Sequence, residues 1–154
     1  MHELIQEQTF PIAAEQLWEF ISRPENLNAI TPPELDFEIR SEVPERMYNG
    51  LIIRYRIKIP GFGSRDWITE IKHIREGVSF VDEQRFGPYR FWFHYHEMSP
   101  VAGGGRMLDR VSYKVPFGVL GRMVHRLFIQ KMLRTIFDYR FQKLKERFGS
   151  WNAE

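Results

Sequence analysis

The chain has 154 residues, the usual size of one folded domain, so we expect a single domain over residues 1–154. Its net charge is only +2, and it contains no cysteine, which excludes disulfides, thiolate metal ligands and a cysteine nucleophile and suits the reducing cytoplasm. The sequence contains neither an apolar run of about 18 residues nor a signal-peptide pattern, so we expect neither a membrane span nor secretion.

The first part of the chain predicts one strand followed by two short helices. Residues 4–10 alternate loosely and end at Pro11, which suits a strand at a sheet edge. Apolar residues at helical spacing between positions 13 and 21 predict a short helix that ends before Pro24. Residues 26–30 can form one or two further turns before the chain leaves in an extended conformation at the Pro-Pro pair that follows.

The middle of the chain has the two-residue period of β-strands. Six strands are predicted in this part, over residues 36–42, 51–59, 64–74, 78–85, 90–98 and 106–115. Their connections are short and rich in turn-forming residues, which indicates antiparallel neighbours. With the first strand they make a seven-stranded antiparallel sheet that has one apolar and one charged face.

The stretch from Gly118 to Phe148 predicts one long C-terminal helix, because no Gly or Pro interrupts it after Arg122. Its apolar residues form two stripes that are out of phase, so we expect a bend or a change of partner between Ile129 and Met132. The second stripe comprises Leu133, Phe137, Phe141, Leu144 and Phe148. We expect this stripe to cover the apolar face of the sheet.

The same helix has a surplus of Lys and Arg over acidic residues. We expect these side chains to form a solvated face whose long stems cover apolar surface. Peripheral contact with an anionic membrane is the alternative use of this face. We expect no binding of nucleic acid, because the rings of the helix follow the spacing of a core.

The strand over residues 90–98 carries the side chains best suited to chemistry. Trp92, His94 and His96 share one of its faces, and the other face is aromatic. The His-x-His pattern has the spacing of metal ligands when a third ligand, such as Asp82 or Asp109, is at hand. Because that pattern alone is a weak signal, we expect no metal and no cofactor.

Which face of this strand lies inside depends on the connection around residues 87–88. A two-residue turn there pairs Asp82 with Phe93 and turns the histidines outward. A bulge reverses the faces and brings the histidines beside Asp82, Gln84 and Asp109. The second arrangement gives Asp109, which lies on an otherwise apolar row, the donor that a buried carboxylate needs, and we favour it.

The order of strand, two short helices, six strands and long helix resembles the helix-grip fold of the START-like superfamily, also called SRPBCC or Bet v 1-like, over nearly the whole chain. Several short motifs further resemble the uncharacterised bacterial SRPBCC branch grouped with polyketide cyclase/dehydrase-like proteins. These motifs are Pro24-Glu25-Asn26-Leu27 with Ile30-Thr31-Pro32, Phe80-x-Asp82-x-Gln84 with Gly87-Pro88-Tyr89, Trp92-x-His94-x-His96, Asp109-x-Val111-x-Tyr113 and Pro116-Phe117-Gly118. The Gly-Thr that is usual in this branch is Gly105-Arg106 here.

This resemblance implies an α+β helix-grip fold, in which a seven-stranded curved antiparallel sheet wraps around the long C-terminal helix and two short helices separate strands 1 and 2. It also implies a hollow between sheet and helix that accepts lipids, sterols, polyketides or similar apolar molecules. We therefore expect a cytoplasmic binding or carrier protein that is a monomer or a weak homodimer. The alternative is a cyclase- or dehydratase-type enzyme in which His94, His96 and Asp109 act as acid and base.

The chain contains 13 Phe, 6 Tyr and 4 Trp, which is more aromatic rings than a plain core requires. These rings can form either a core packed with aromatic side chains or an aromatic cavity for an apolar ligand. The residues expected to contact the ligand lie on the inner face of the strands, around the histidines and along the helix. They are Tyr55, Trp67, Thr69, Ile71, Phe80, Asp82, Gln84, Trp92, His94, His96, Asp109, Tyr113, Phe117, Leu133 and Phe137.

Overall fold

The computed structural model describes residues 1–61, 63–116, 118 and 128–151 of the chain. The strands are β1 His2–Phe10, β2 Glu38–Ile39, β3 Ile52–Ile59, β4 Gly63–Arg75, β5 Ser79–Phe86, β6 Phe91–Val101 and β7 Gly104–Lys114. They form one curved antiparallel sheet with the order β1-β7-β6-β5-β4-β3-β2. The helices are α1 Ala14–Ile21 and α2 Gln130–Phe148, and two 3-10 segments cover Pro24–Ile30 and Pro33–Leu35. The predicted helix-grip architecture is confirmed.

The second predicted strand is much shorter than its alternating pattern suggested. Only Glu38–Ile39 is regular strand, and it pairs with β3 at the edge of the sheet. Beyond it the Arg40 N–H still donates to the Arg54 carbonyl at 2.8 Å, and Ser41 Oγ accepts from the Arg54 N–H at 3.1 Å. The Ser41 hydroxyl thus takes the place of a backbone acceptor and ends the ladder, and short edge strands of this kind discourage pairing with other chains.

The register between β5 and β6 decides which side chains lie inside. Asp82 lies opposite His94, so the pairing of Asp82 with Phe93 that a two-residue turn would impose is wrong. The connection between these strands is longer than two residues, and the side chain of Gln84 closes it. Its Nε2 donates to the Tyr89 carbonyl at 2.6 Å, and its Oε1 accepts from the Tyr89 N–H at 3.2 Å. The histidine face of β6 therefore points inward, where His94 and His96 are buried.

The core lies between the inner face of the sheet and the two α-helices. Its most deeply buried large side chains come from strands, from α1 and from α2, and they include Phe10, Leu17, Ile53, Met98 and Leu144. Burial of this apolar surface is the main term that stabilises the fold, at about 25 cal/mol per Å². A second apolar cluster, around Trp92, Val111 and Phe137, lies toward the N-terminal half of α2.

The inner face of α2 is more polar than its apolar stripe predicted. Leu133, Phe137 and Leu144 are buried as expected, whereas Phe141 is only half-buried. The inner position next to it is occupied by Arg140, which is buried. An arginine thus lies inside, where the predicted stripe had an aromatic ring. This arginine matters for the site because it places a positive charge beneath the sheet.

Part of the predicted long helix lies outside the described residues, namely positions 119–127 with most of the first apolar stripe. Directly before α2, Phe128 and Ile129 adopt the wider π-type turn. Such turns accompany bends in helices, but the bend between Ile129 and Met132 stays a prediction. Within the described ranges, no helix has the length and apolar character needed to cross a membrane.

Candidate functional site

A cavity of about 180 Å³ lies between the inner face of the sheet and α2. Its wall is mostly apolar and includes side chains from β3, β4, the segment Pro24–Ile30 and α2. Small-molecule sites usually enclose about 300 to 1,000 Å³. A ligand of this cavity must therefore be compact or must extend beyond it.

A second, more open hollow of about 1490 Å³ adjoins the cavity. It runs between the end of β3, the connection between β5 and β6, and the residues around the start of α2. The two spaces share the lining residues Leu35, Ile59, Tyr89, Met132 and Ile136. A long ligand can therefore reach outward beside the first turns of α2.

Most of the ligand-contacting residues predicted from the sequence line the cavity. They are Tyr55, Trp67, Thr69, Ile71, Phe80, Asp82, Trp92, His94, His96, Leu133 and Phe137. Gln84 is not among them, because its amide is engaged with the backbone of Tyr89. Asp109 lies behind the histidines, and Tyr113 is buried in the second apolar cluster. Phe117 lies outside the described residues.

Two histidines and two aspartates meet at the sheet side of the cavity, and we call these four residues the His-Asp cluster. His94 Nε2 lies 3.0 Å from Asp109 Oδ1, and His94 Nδ1 lies 3.1 Å from Asp82 Oδ2. His96 Nε2 lies 2.8 Å from Asp82 Oδ2, and His96 Nδ1 lies 2.8 Å from Asp109 Oδ1. Each carboxylate therefore contacts both imidazole rings, and the centroids of these rings are 3.7 Å apart.

The cluster forms because β5, β6 and β7 are neighbouring strands whose registers bring these four residues opposite one another. β5 places Asp82 opposite His94, and β7 places Asp109 opposite His96. Side chains that are paired across antiparallel strands point to the same face, so all four converge inside. From outside the cluster, Trp92 Nε1 donates to Asp82 Oδ1 at 3.1 Å.

The rings around the cluster hold it in place. Phe80 stacks on His96 with 4.3 Å between ring centroids, and Phe137 meets His94 edge-on at 5.5 Å. Both contacts fix the planes of the imidazoles, so the positions of their nitrogens are set by packing as well as by hydrogen bonds.

Solved structures with the same architecture were found at low sequence identity. A START superfamily protein from Mycobacterium smegmatis superposes with a TM-score of 0.71 at 16% identity, over 96% of this chain and 97% of that one. The protein TTHA0849 from Thermus thermophilus gives a TM-score of 0.68 at 17% identity over 96% and 97% of the two chains. Ara h 8.0201 gives 0.59 at 15% identity over 94% and 98%. This protein has the START-like helix-grip fold.

No protein-family model matches the sequence, and the comparison with curated proteins found no match. The resemblance to the polyketide cyclase/dehydrase-like branch therefore stays a prediction. In this START-like fold the chemistry must be inferred from the side chains at the cavity, because the fold accommodates many functions.

The contacts within the His-Asp cluster shift the pKa values of His94 and Asp82 away from their ordinary values. Burial by itself lowers the pKa of His94, but the Asp82 carboxylate and the hydrogen bonds to Asp109 and Asp82 outweigh it, so that pKa is raised. Burial by itself raises the pKa of Asp82, but the positive charge and hydrogen bonds of His94 and His96 hold it well below its usual value. The surroundings of His94 therefore favour its positive form, and those of Asp82 favour its negative form.

Arg140 extends the cluster from the side of α2. Its Nε lies 3.9 Å from Asp109 Oδ2, and its side chain also lines the cavity. Burial by itself raises the pKa of Asp109, but the charge of Arg140 and the hydrogen bonds of the two histidines keep it well below its usual range. Arg140 thus helps to keep Asp109 ionised inside the protein.

Sequence reasoning did not single out Arg140, because it was counted with the solvated basic face of the helix. The signal that could have found it is its spacing: Arg140 follows Leu133 by seven residues and Phe137 by three, and it precedes Leu144 by four. Tyr89 was also missed as a lining residue, because its burial follows from the length of a connection that the turn pattern did not resolve.

Proposed function

We propose that this protein binds a small, mostly apolar molecule that carries one polar group, such as a lipid, sterol or polyketide, and acts as a binding or carrier protein. The observation that carries this proposal is a cavity with apolar walls that ends at one buried polar cluster. The apolar walls favour burial of a hydrocarbon, and the cluster provides a single anchor that orients it.

The polar anchor is accessible through Asp82. Its side chain is 22% exposed, whereas the other three cluster residues are almost completely buried. A ligand hydroxyl, carbonyl or carboxyl group would meet Asp82 and the cavity-lining edges of His94 and His96, with Asp109 orienting the rings from behind. This division of roles explains why Asp109 belongs to the site although it does not line the cavity.

The size of the cavity limits the ligand. Its volume of about 180 Å³ suits one ring system or the end of a chain. A linear molecule fits when its polar end lies at the cluster and its tail follows the adjoining hollow past Met132 and Ile136. Both geometries bury the apolar part of the ligand against the inner side of α2.

Filling the cavity should abolish binding. Ile71 is buried and lines the cavity, so Ile71→Trp should weaken the binding of 1-anilinonaphthalene-8-sulfonate by at least about tenfold, since an added indole occupies the space that the probe needs. Fluorescence titration measures the affinity of this apolar anion, and thermal unfolding followed by circular dichroism shows whether the variant still folds.

The matched control is Ile52→Trp, because Ile52 is an isoleucine on the outer face of β3 and is 45% exposed. This variant should bind the probe as the parent protein does. Equal affinity of the parent and the folded Ile71→Trp variant would place the probe elsewhere and contradict the proposal.

A second candidate function is favoured by the His-Asp cluster itself. A buried histidine with a raised pKa beside two carboxylates can exchange a proton with a bound carbonyl compound, as in a cyclase- or dehydratase-type enzyme. Mass spectrometry of an organic extract of the purified protein should identify a bound molecule. A binding protein should return that molecule unchanged after prolonged incubation, whereas an enzyme should convert it and lose this activity on His94→Gln.

A further inference from the structure

The four close contacts of the His-Asp cluster cannot all be hydrogen bonds when both imidazoles are neutral. Each histidine has both ring nitrogens within 3.1 Å of a carboxylate oxygen. A neutral imidazole carries one N–H, so two of the four contacts would oppose a nitrogen lone pair to a carboxylate.

Only the contacts of His94 Nε2 with Asp109 Oδ1 and of His96 Nε2 with Asp82 Oδ2 have hydrogen-bonding geometry, and one N–H on each neutral ring satisfies both. The other two contacts hold Nδ1 of each ring close to a carboxylate oxygen, where a cation would be stabilised. A single dication beside these nitrogens and one carboxylate would place positive charge at the close contacts and leave both rings neutral.

We propose that Asp82, His94 and His96 form a binding site for one divalent transition-metal ion of the zinc type. One nitrogen or oxygen from each of these side chains lies within 4.8 Å of the others, so one ion can contact all three. Two imidazoles and one carboxylate are a ligand set that zinc and ferrous iron accept. This proposal reverses the expectation of no metal, which rested on the His-x-His spacing alone.

The surroundings of the three ligands resemble the outer shell that metal sites need. His94 Nδ1 and His96 Nε2 face Asp82, which leaves the opposite nitrogen of each ring to face Asp109 Oδ1 at 3.0 and 2.8 Å. His96 Nδ1 has no hydrogen-bond partner among the described residues, and a small rotation of its ring would direct an N–H at Asp109. A carboxylate that accepts the outer N–H of ligating histidines fixes their tautomer and raises their basicity.

The carboxylate of Asp82 is also oriented by a hydrogen bond from outside the cluster. Asp82 presents Oδ2 to both histidines, while its other oxygen accepts from Trp92 Nε1 at 3.1 Å. Asp82 is thus held as a ligand through one oxygen. Arg140 lies beside Asp109, with Nε 3.9 Å from Asp109 Oδ2, and its positive charge balances the second carboxylate.

The ion would keep at least one open coordination position. Asp82, His94 and His96 all line the cavity, so a fourth ligand can approach from that space. Metal sites with three protein ligands and one free position bind water or a polar substrate atom there. The proposal itself depends only on the geometry of the cluster and stands apart from the proposed apolar ligand.

Zinc binding by the purified protein tests this inference. The protein is prepared without a histidine tag, treated with EDTA and dialysed, and then titrated with Zn²⁺ in a calorimeter. We expect one ion per chain and a dissociation constant below about 1 µM, since three pre-oriented ligands are in place. Titration with Co²⁺ should produce visible absorption bands of a nitrogen- and oxygen-ligated ion.

Amino-acid substitutions distinguish the proposed metal ligands from residues outside the site. Asp82→Asn and His96→Gln should each weaken Zn²⁺ binding at least about 100-fold, and Asp109→Asn should weaken it about 10- to 100-fold because Asp109 acts through the histidines. The matched control is His73→Gln, since His73 is exposed on β4, and its affinity should equal that of the parent. Circular dichroism spectra identify any variant that fails to fold.

Two results would overturn the inference: no Zn²⁺ binding tighter than about 100 µM by the folded parent protein, or parent-like affinity in a folded Asp82→Asn variant. The zinc titration and the titration with 1-anilinonaphthalene-8-sulfonate test the two proposals separately. Zinc binding without binding of the fluorescent probe would support the metal site and contradict the apolar ligand. Probe binding without zinc binding would support the apolar ligand and contradict the metal site.

Discussion

Replacing Phe137 with alanine should lower the free energy of unfolding by about 3 to 5 kcal/mol, the usual cost of removing a buried ring. Phe137 is 4% exposed, and it packs in the second apolar cluster with Leu133, Trp92 and Val111. Its ring also meets the edge of His94. The void would lie between a helix and a hydrogen-bonded sheet, and neither can collapse easily to fill it. Denaturant unfolding followed by circular dichroism measures the loss.

The same change at an exposed ring is the control for this prediction. Phe128 is 63% exposed, so Phe128→Ala should change the free energy of unfolding by no more than about 0.5 kcal/mol. A loss of similar size for both variants, or a loss below about 0.5 kcal/mol for Phe137→Ala, would show that α2 is not anchored through this ring.

Replacing Arg140 with methionine should cost about 3 to 5 kcal/mol in protein kept free of metal ions, because it removes one partner of a buried charge pair. Arg140 is 7% exposed, and its Nε lies 3.9 Å from Asp109 Oδ2. Methionine keeps an unbranched apolar side chain in place, so most of the loss should come from the charge. Denaturant unfolding at constant ionic strength measures it.

Two comparisons isolate the electrostatic part of this effect. Arg134→Met changes an exposed arginine of the same helix and should alter stability by no more than about 0.5 kcal/mol. The double variant Asp109→Asn with Arg140→Met removes both charges and should be more stable than the sum of the single losses implies. Strict additivity of the two single changes would contradict a coupling between Arg140 and Asp109.

The members of the His-Asp cluster could be recognised individually before the structure was known. Asp109 interrupts an apolar row, and His94 and His96 share one face of a strand, so the need of a buried carboxylate for a donor pointed to their meeting. The inward orientation of this face agrees with that argument. The turn pattern at residues 87–88 pointed the other way and was wrong, because a side-chain amide, that of Gln84, stabilises a longer connection.

Arg140 shows a different limit of sequence reasoning. An arginine at the spacing of an apolar stripe can either extend its charged end to water or pair with a buried carboxylate. Periodicity cannot distinguish the two, because both leave the aliphatic part of the side chain on the apolar face. The choice depends on whether an acid lies opposite, and Asp109 is far away along the chain.

The amino-acid sequence by itself determined the order of elements, the antiparallel sheet and its apolar face, because these follow from local periodicity and turn chemistry. The tertiary structure alone decided the exact pairing of β5 with β6, the position of Arg140 beneath β7 and the two-sided contacts between histidines and aspartates. Each of these depends on residues that are distant in the chain, and a one-residue slip in register would have turned the histidines to solvent. Such a choice is made by the packing and hydrogen bonding of the whole fold, which no local pattern contains.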